Sequence, residues 1–172
     1  MAGLFYPDPN DWKYTLTPDE MDMILEHVRA IKGYNDHEGY PDTWPIGGES
    51  DFEIKFRGYA AEYVASKLTG LPWRKTMFGS GFKERKACDI GQRTEVRNAK
   101  KTNGRLGGFN PKKHDDPRYV YLLVTGLPPT FWVRGWLEGT ELAEMPMDYS
   151  VPSPARFARI DQLHEMPLPE DA

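Results

Sequence analysis

The run Tyr119-Val120-Tyr121-Leu122-Leu123-Val124 most constrains what this chain can fold into. Side chains of a strand alternate between its two faces, so a strand with one wet face alternates apolar and polar residues. This run is apolar on both faces, which predicts a central strand covered from both sides. Gly126-Leu127-Pro128-Pro129 breaks it. Phe131-Trp132-Val133-Arg134-Gly135-Trp136-Leu137 then predicts another strand, whose aromatics suit core packing better than base stacking.

Two helices precede these strands. Thr17-Pro18-Asp19-Glu20 is a helix start, with Thr17 as N-cap and Glu20 at the capping-box position. Met21, Ile24, Leu25, Val28 and Ile31 form an apolar stripe, and Gly33 is the predicted end. A loop over residues 34–50 follows, in which His37 lacks the setting of a metal ligand. A second helix runs from Ser50-Asp51 to about Leu68 and closes at Thr69-Gly70. Its small residues Gly58, Ala60 and Ala61 permit close packing on a sheet. Glu62 lies among them, and a solvent-facing position suits it as well as a functional one; its burial discriminates.

At 172 residues the chain predicts one domain with a substantial core. Its 15 prolines and 16 glycines predict many turns and irregular ends. The expected organisation is an N-terminal arm and helix (1–50), a core (51–140) and a Pro-rich tail (141–172). That tail lies over the body through Phe157, Ile160 and Leu163. The single cysteine, Cys88, excludes an internal disulfide framework and suits a reducing cytoplasm. The N-terminus lacks a signal-peptide pattern, and no apolar run is long enough to span a membrane. The net charge of −4 hides an asymmetry, since residues 74–113 hold twelve Lys and Arg against three acids. Such a basic block suggests a polyanion footprint. Lys86, Arg93, Lys100, Lys101 and Arg105 are its candidate phosphate contacts.

Two of those three acids stand in Asp89-Ile90-Gly91-Gln92-Arg93-Thr94-Glu95-Val96-Arg97. Residues 85–90 and 92–99 read as strands. On the second, Arg93, Glu95 and Arg97 share a face, with neighbours roughly 6.5–7 Å apart. The turn Thr102-Asn103-Gly104 predicts a hairpin into Arg105-Leu106. Two converging carboxylates and a cation suit metal-assisted phosphodiester hydrolysis: the acids hold a hard divalent ion and the cation steadies developing charge. The competing reading is a surface strand with alternating charges. His114-Asp115-Asp116-Pro117 reads as a structural turn.

Asp-(x)n-Glu-x-Lys is the signature of the PD-(D/E)xK nuclease superfamily, and Asp89 to Arg97 resembles it, with Arg97 in place of the lysine. Glu62 in Gly58-Tyr59-Ala60-Ala61-Glu62 resembles the helix glutamate of that superfamily. The Asp115-Asp116 turn before the apolar strand and the pair Gly135-Trp136 look like features of small phage members. The resemblance covers about residues 52–165. It implies a restriction-endonuclease-like α/β fold, with a mixed four- or five-stranded sheet flanked by helices. It further implies Mg²⁺ or Mn²⁺ held by Glu62, Asp89 and Glu95, hydrolysis of DNA with Asp89, Glu95 and Arg97 as catalytic residues, and a phage protein acting in the host cytoplasm. Arg97 keeps the charge but activates water poorly, because its pKa lies far from neutral. That leaves open a catalytically inactive DNA-binding relative. A protein-binding inhibitor or virion component stays open too, as does a homodimer. A cysteine hydrolase is disfavoured, because Cys88 faces away from Asp89.

Overall fold

The computed structural model describes residues 12–38, 50–74 and 88–172. The expectations for the arm before Trp12, for residues 39–49, for the Gly-rich turn at 79–81 and for the strand from residue 85 to 87, including Lys86, lie outside these residues.

The predicted central strand is β4 (Val120–Leu127). It is buried from Val120 to Gly126. It forms an antiparallel hairpin with β5 (Thr130–Glu138) through Pro128-Pro129. A short β1 (Lys13–Thr15) pairs antiparallel with β5, and β2 (Thr94–Ala99) runs parallel to β4 on its other side. The result is a mixed four-stranded sheet of order β1-β5-β4-β2.

Each face of β4 meets a different layer. Leu122 and Val124 join a core with Ile24 and Val28 of α1 (Pro18–Glu38) and Ala60, Ala61, Val64 and Ala65 of α2 (Asp51–Thr69). The four small or branched residues of α2 are fully buried, so the helix backbone approaches the sheet closely. Tyr121 and Leu123 join a second core with Leu106, Leu137, Leu142 and Ala158. That layer is not the second helical layer implied by the resemblance. It is a three-stranded sheet of order β3-β7-β6 plus the short α3 (Gly139–Glu144). Its strands are β3 (Leu106–Gly108), β6 (Met147–Asp148) and β7 (Ala155–Ala158).

Both predicted helix starts carry reciprocal caps. Glu20 N–H donates to Thr17 Oγ1 (3.2 Å) and Thr17 N–H to Glu20 Oε2 (2.9 Å). Ser50 and Glu53 repeat the arrangement at α2. Gly70 ends α2 at φ +74°, a left-handed position where glycine costs least. Three expectations change. α1 does not stop at Gly33 but continues to Glu38; one glycine inside a helix costs only about 1 kcal/mol, and the helix absorbs it. The segment after β2 does not return as a hairpin, because β3 pairs with β7 in the other sheet. The C-terminal segment is not a structureless tail: it contributes α3, β6 and β7, and Ile160 and Leu163 pack against the second core as predicted. Gly135 makes part of this possible. At φ +145° it faces the His164 carbonyl, which an added Cβ would meet at 2.6 Å. Among the described residues no helix is long and apolar enough to cross a membrane.

Candidate carboxylate site

The site is built by a tight turn at the start of β2. Asp89 N–H and Ile90 N–H both donate to the Thr94 carbonyl (3.0 and 3.1 Å), and Thr94 N–H donates to the Ile90 carbonyl (3.3 Å). Gly91, at φ +63°, turns the chain where a side chain would meet the Ala172 carbonyl at 2.7 Å. Asp89 is thereby folded back along β2. Its Oδ2 accepts the Val96 N–H at 2.7 Å, which sets it beside Glu95. Gly91, Gln92 and Arg93 form this turn, and β2 begins at Thr94 rather than at residue 92.

Glu62 reaches the same point from α2. It is half-buried, not solvent-facing, and its Oε2 accepts the Trp73 indole N–H at 3.0 Å. Glu62, Asp89 and Glu95 interact directly: side-chain hydrogen bonds join Asp89 to both glutamates. Burial, reinforced by the Asp89 charge, pushes the Glu62 carboxyl well above its ordinary range. Burial also raises Asp89, against the opposing pull of the Val96 N–H and Arg97. Glu95 is pushed up to about 7, by burial first and by Asp89 second, with Arg97 pulling the other way. Crowded acids that cannot all shed their protons are the mark of a cluster short of positive charge.

Arg97 shares a face with Glu95, as the strand alternation predicts, and contacts its Oε2 at 3.4 Å. Its stronger bond goes to Asp115 Oδ1 at 2.8 Å, and its guanidinium lies 5.3 Å over the Tyr121 ring. Asp115 Oδ2 accepts the Phe109 N–H at 2.7 Å, where Phe109 holds a left-handed φ of +52°. Asp115, assigned by sequence to a structural turn, is therefore a fourth acid of the site. Its neighbour Asp116 does play the turn role, pairing with Arg118 at 2.8 Å. Glu95, Arg97 and Asp115 border a cleft of about 230 Å³ that Lys113, His114, Asp116, Tyr119 and Tyr121 also line. The second residue missed by sequence is Trp73. A lone tryptophan after a helix carries no signal of it, whereas the paired aspartates before the central strand could have pointed to Asp115.

The predicted phosphate contacts scatter. Arg93 lies in the turn before β2, and all five of its N–H groups are used, on Glu138, Asp171 and the Arg118 carbonyl. Arg105 pairs with Asp148 at 2.9 Å and covers Phe157 at 4.2 Å. Lys100 is half-buried and Lys101 exposed just past β2. Cys88 is buried and its thiol donates to the Ile90 carbonyl at 3.3 Å. Burial pushes that thiol's pKa up, the opposite of an activated nucleophile.

The donor set of the cluster is all carboxylate oxygen, which suits a hard divalent cation. As placed, the three acids interact with one another through Asp89, and among the described residues no group of three or more His, Cys, Asp or Glu is positioned to hold a metal ion. The donor chemistry therefore fits such an ion, and binding it requires these side chains to exchange their shared protons for the metal. Comparison with protein-family models, with curated proteins and with solved structures finds no match.

Proposed function

We propose that this protein is a divalent-metal-dependent nuclease that hydrolyses DNA phosphodiester bonds, with Glu62, Asp89 and Glu95 as the metal-binding acids. The observation that carries the reading is the convergence of these three carboxyls from α2, the turn after Cys88 and β2, with their pKa values raised first by burial. A bound Mg²⁺ or Mn²⁺ supplies Lewis-acid polarisation of the phosphate and a more acidic water. Asp89, joined to both glutamates and fixed by the Val96 N–H, anchors the set. Glu95 stands between it and the cleft, where a phosphate is admitted. Arg97, held by Asp115, keeps a permanent charge at the cleft wall and stabilises the charge that builds on the phosphate. Exposed Lys101 and Lys113 supply non-specific phosphate attraction, which makes binding salt-sensitive.

The test is cleavage of labelled single-stranded, duplex and branched DNA with Mg²⁺, Mn²⁺ or EDTA, with Asp89→Asn and Glu95→Gln beside the parent. Metal-dependent cutting that both variants lose supports the reading; a parent that cuts nothing under any condition overturns it.

One observation favours a second reading, an inactive nuclease-like protein that binds DNA or a protein. Arg97 is engaged by both Glu95 and Asp115, so the cation is partly spent inside the protein. Retention of labelled DNA in EDTA without cleavage selects this reading, and failure to bind any nucleic acid directs the search to a protein partner.

A further inference from the structure

We infer that Trp73 is a positioning residue whose indole N–H holds the Glu62 carboxylate in register with Asp89, so that the two can share one divalent cation. The inference rests on the metal-dependent reading above. Glutamate has a long side chain with several rotatable bonds, and fixing it costs rotamer entropy that some partner must offset. The partner here is a pure donor. An indole N–H cannot accept a hydrogen bond, so it engages a carboxylate oxygen whether or not a metal is present. It takes Oε2 of Glu62 at 3.0 Å.

Trp73 is itself tied to both sides of the site. Its backbone forms an antiparallel bridge with Ile90. Arg74 N–H donates to the Asp89 carbonyl at 2.9 Å, and Gly91 N–H donates to the Pro72 carbonyl at 3.0 Å. The Arg74 guanidinium also bonds the Gly91 carbonyl. Residues 72–74 are thus strapped to the turn that carries Asp89. The indole ring is wedged edge-on against His27 of α1 (5.5 Å, 72°) and Tyr63 of α2 (5.4 Å, 74°). Through one residue, the backbone of one acid and the head group of another are locked together. Hydrogen-bond partners of this kind orient metal-binding carboxylates, and their loss typically costs about 10–100-fold in metal affinity.

Binding of Mn²⁺ to the full chain, followed by the electron paramagnetic resonance signal of free Mn²⁺ and by calorimetry, tests this without recourse to cleavage. Trp73→Phe keeps an aromatic ring between His27 and Tyr63 and removes the donor. Its Kd for Mn²⁺ is expected to rise about 10–100-fold. In a Glu62→Ala background the same change is expected to have no further effect, a non-additivity that a merely structural role does not produce. Should Trp73→Phe fail to fold by circular dichroism, site-specific replacement of Trp73 by its benzothiophene isostere keeps the ring volume and deletes only the N–H. An unchanged Kd in the folded variant overturns the inference and leaves the metal reading standing. An equal loss in the Glu62→Ala background also overturns it, because Trp73 then acts by packing alone. A parent that binds no Mn²⁺ overturns both.

Discussion

Two arginines four positions apart sit in opposite electrostatic settings. Arg93, in the turn before β2, meets Glu138 (2.7 Å) and Asp171 (2.8 Å) and donates every N–H it has. Its own pKa rises and that of Asp171 falls, the signature of charges that stabilise one another. Arg97, within β2, faces Glu95 and Asp115, and beside it Glu62, Asp89 and Glu95 titrate high. One region is a satisfied clamp that fastens the C-terminal segment to the sheet. The other holds surplus negative charge that folding alone does not require. A buried group that raises the free energy of the fold is kept for chemistry more often than for stability.

The contrast breaks most visibly in activity. On the proposed function, Asp89→Asn and Glu95→Gln are expected to cut metal-dependent cleavage by at least about 10²–10³-fold in an assay with Mg²⁺, because each would remove a carboxylate that holds the metal. Glu95→Gln is also expected to leave the metal-free protein at least as resistant to urea as the parent. Arg93→Ala should do the reverse. It leaves the half-buried Glu138 without its bidentate partner and frees the exposed Asp171, and is expected to lower the urea midpoint modestly, while cleavage at low denaturant persists.

A smaller effect follows from pH. Glu95 titrates near 7 in the folded chain against an ordinary value of 4.5, so the folded state binds the proton more tightly. Its contribution is fully favourable below about 4.5 and is lost as pH rises through about 7; Glu62 and Asp89 act in the same direction. The metal-free protein is expected to melt at lower temperature at pH 8 than at pH 5.5, and saturating Mg²⁺ to shrink that difference. The smallest effect concerns Thr94, which is fully buried with an Oγ1 that has no hydrogen-bond partner among the described residues. Thr94→Val keeps the shape, removes the unsatisfied hydroxyl and is expected to stabilise by about 1 kcal/mol in the same urea assay.

The sheet was legible where a local rule decided it. Doubly apolar β4, alternating β5 and the two capped helix starts follow from side-chain period and capping chemistry alone. The second layer was not legible, because β3, β6 and β7 are two to four residues long and exist only by pairing across the chain. The strand reading of 92–99 carried Glu95 and Arg97 to one face, yet it counted Arg93 with them, although the tight turn at Gly91 takes Arg93 out of the strand. Asp89, Glu95 and Glu62 could be singled out by residue type and spacing. Trp73 reaches the site through a tertiary contact that no spacing encodes, and the Asp115-Asp116 pair, visible in the sequence, does not say which of the two meets Arg97.

The bond from Val96 N–H to Asp89 has a consequence for how copies of this protein meet. Among the described residues β2 is the last strand on its side of the sheet, and such strands offer unpaired amides to any passing chain. Here the Thr94 amide and carbonyl are taken by residues 89 and 90, and the Val96 amide is taken by the Asp89 carboxylate. The acid proposed to hold a cation thus also covers part of the sheet edge against self-association. Asp89→Ala reopens that edge while Asp89→Asn keeps an acceptor there, so sedimentation of the two variants should show larger species only in the alanine protein.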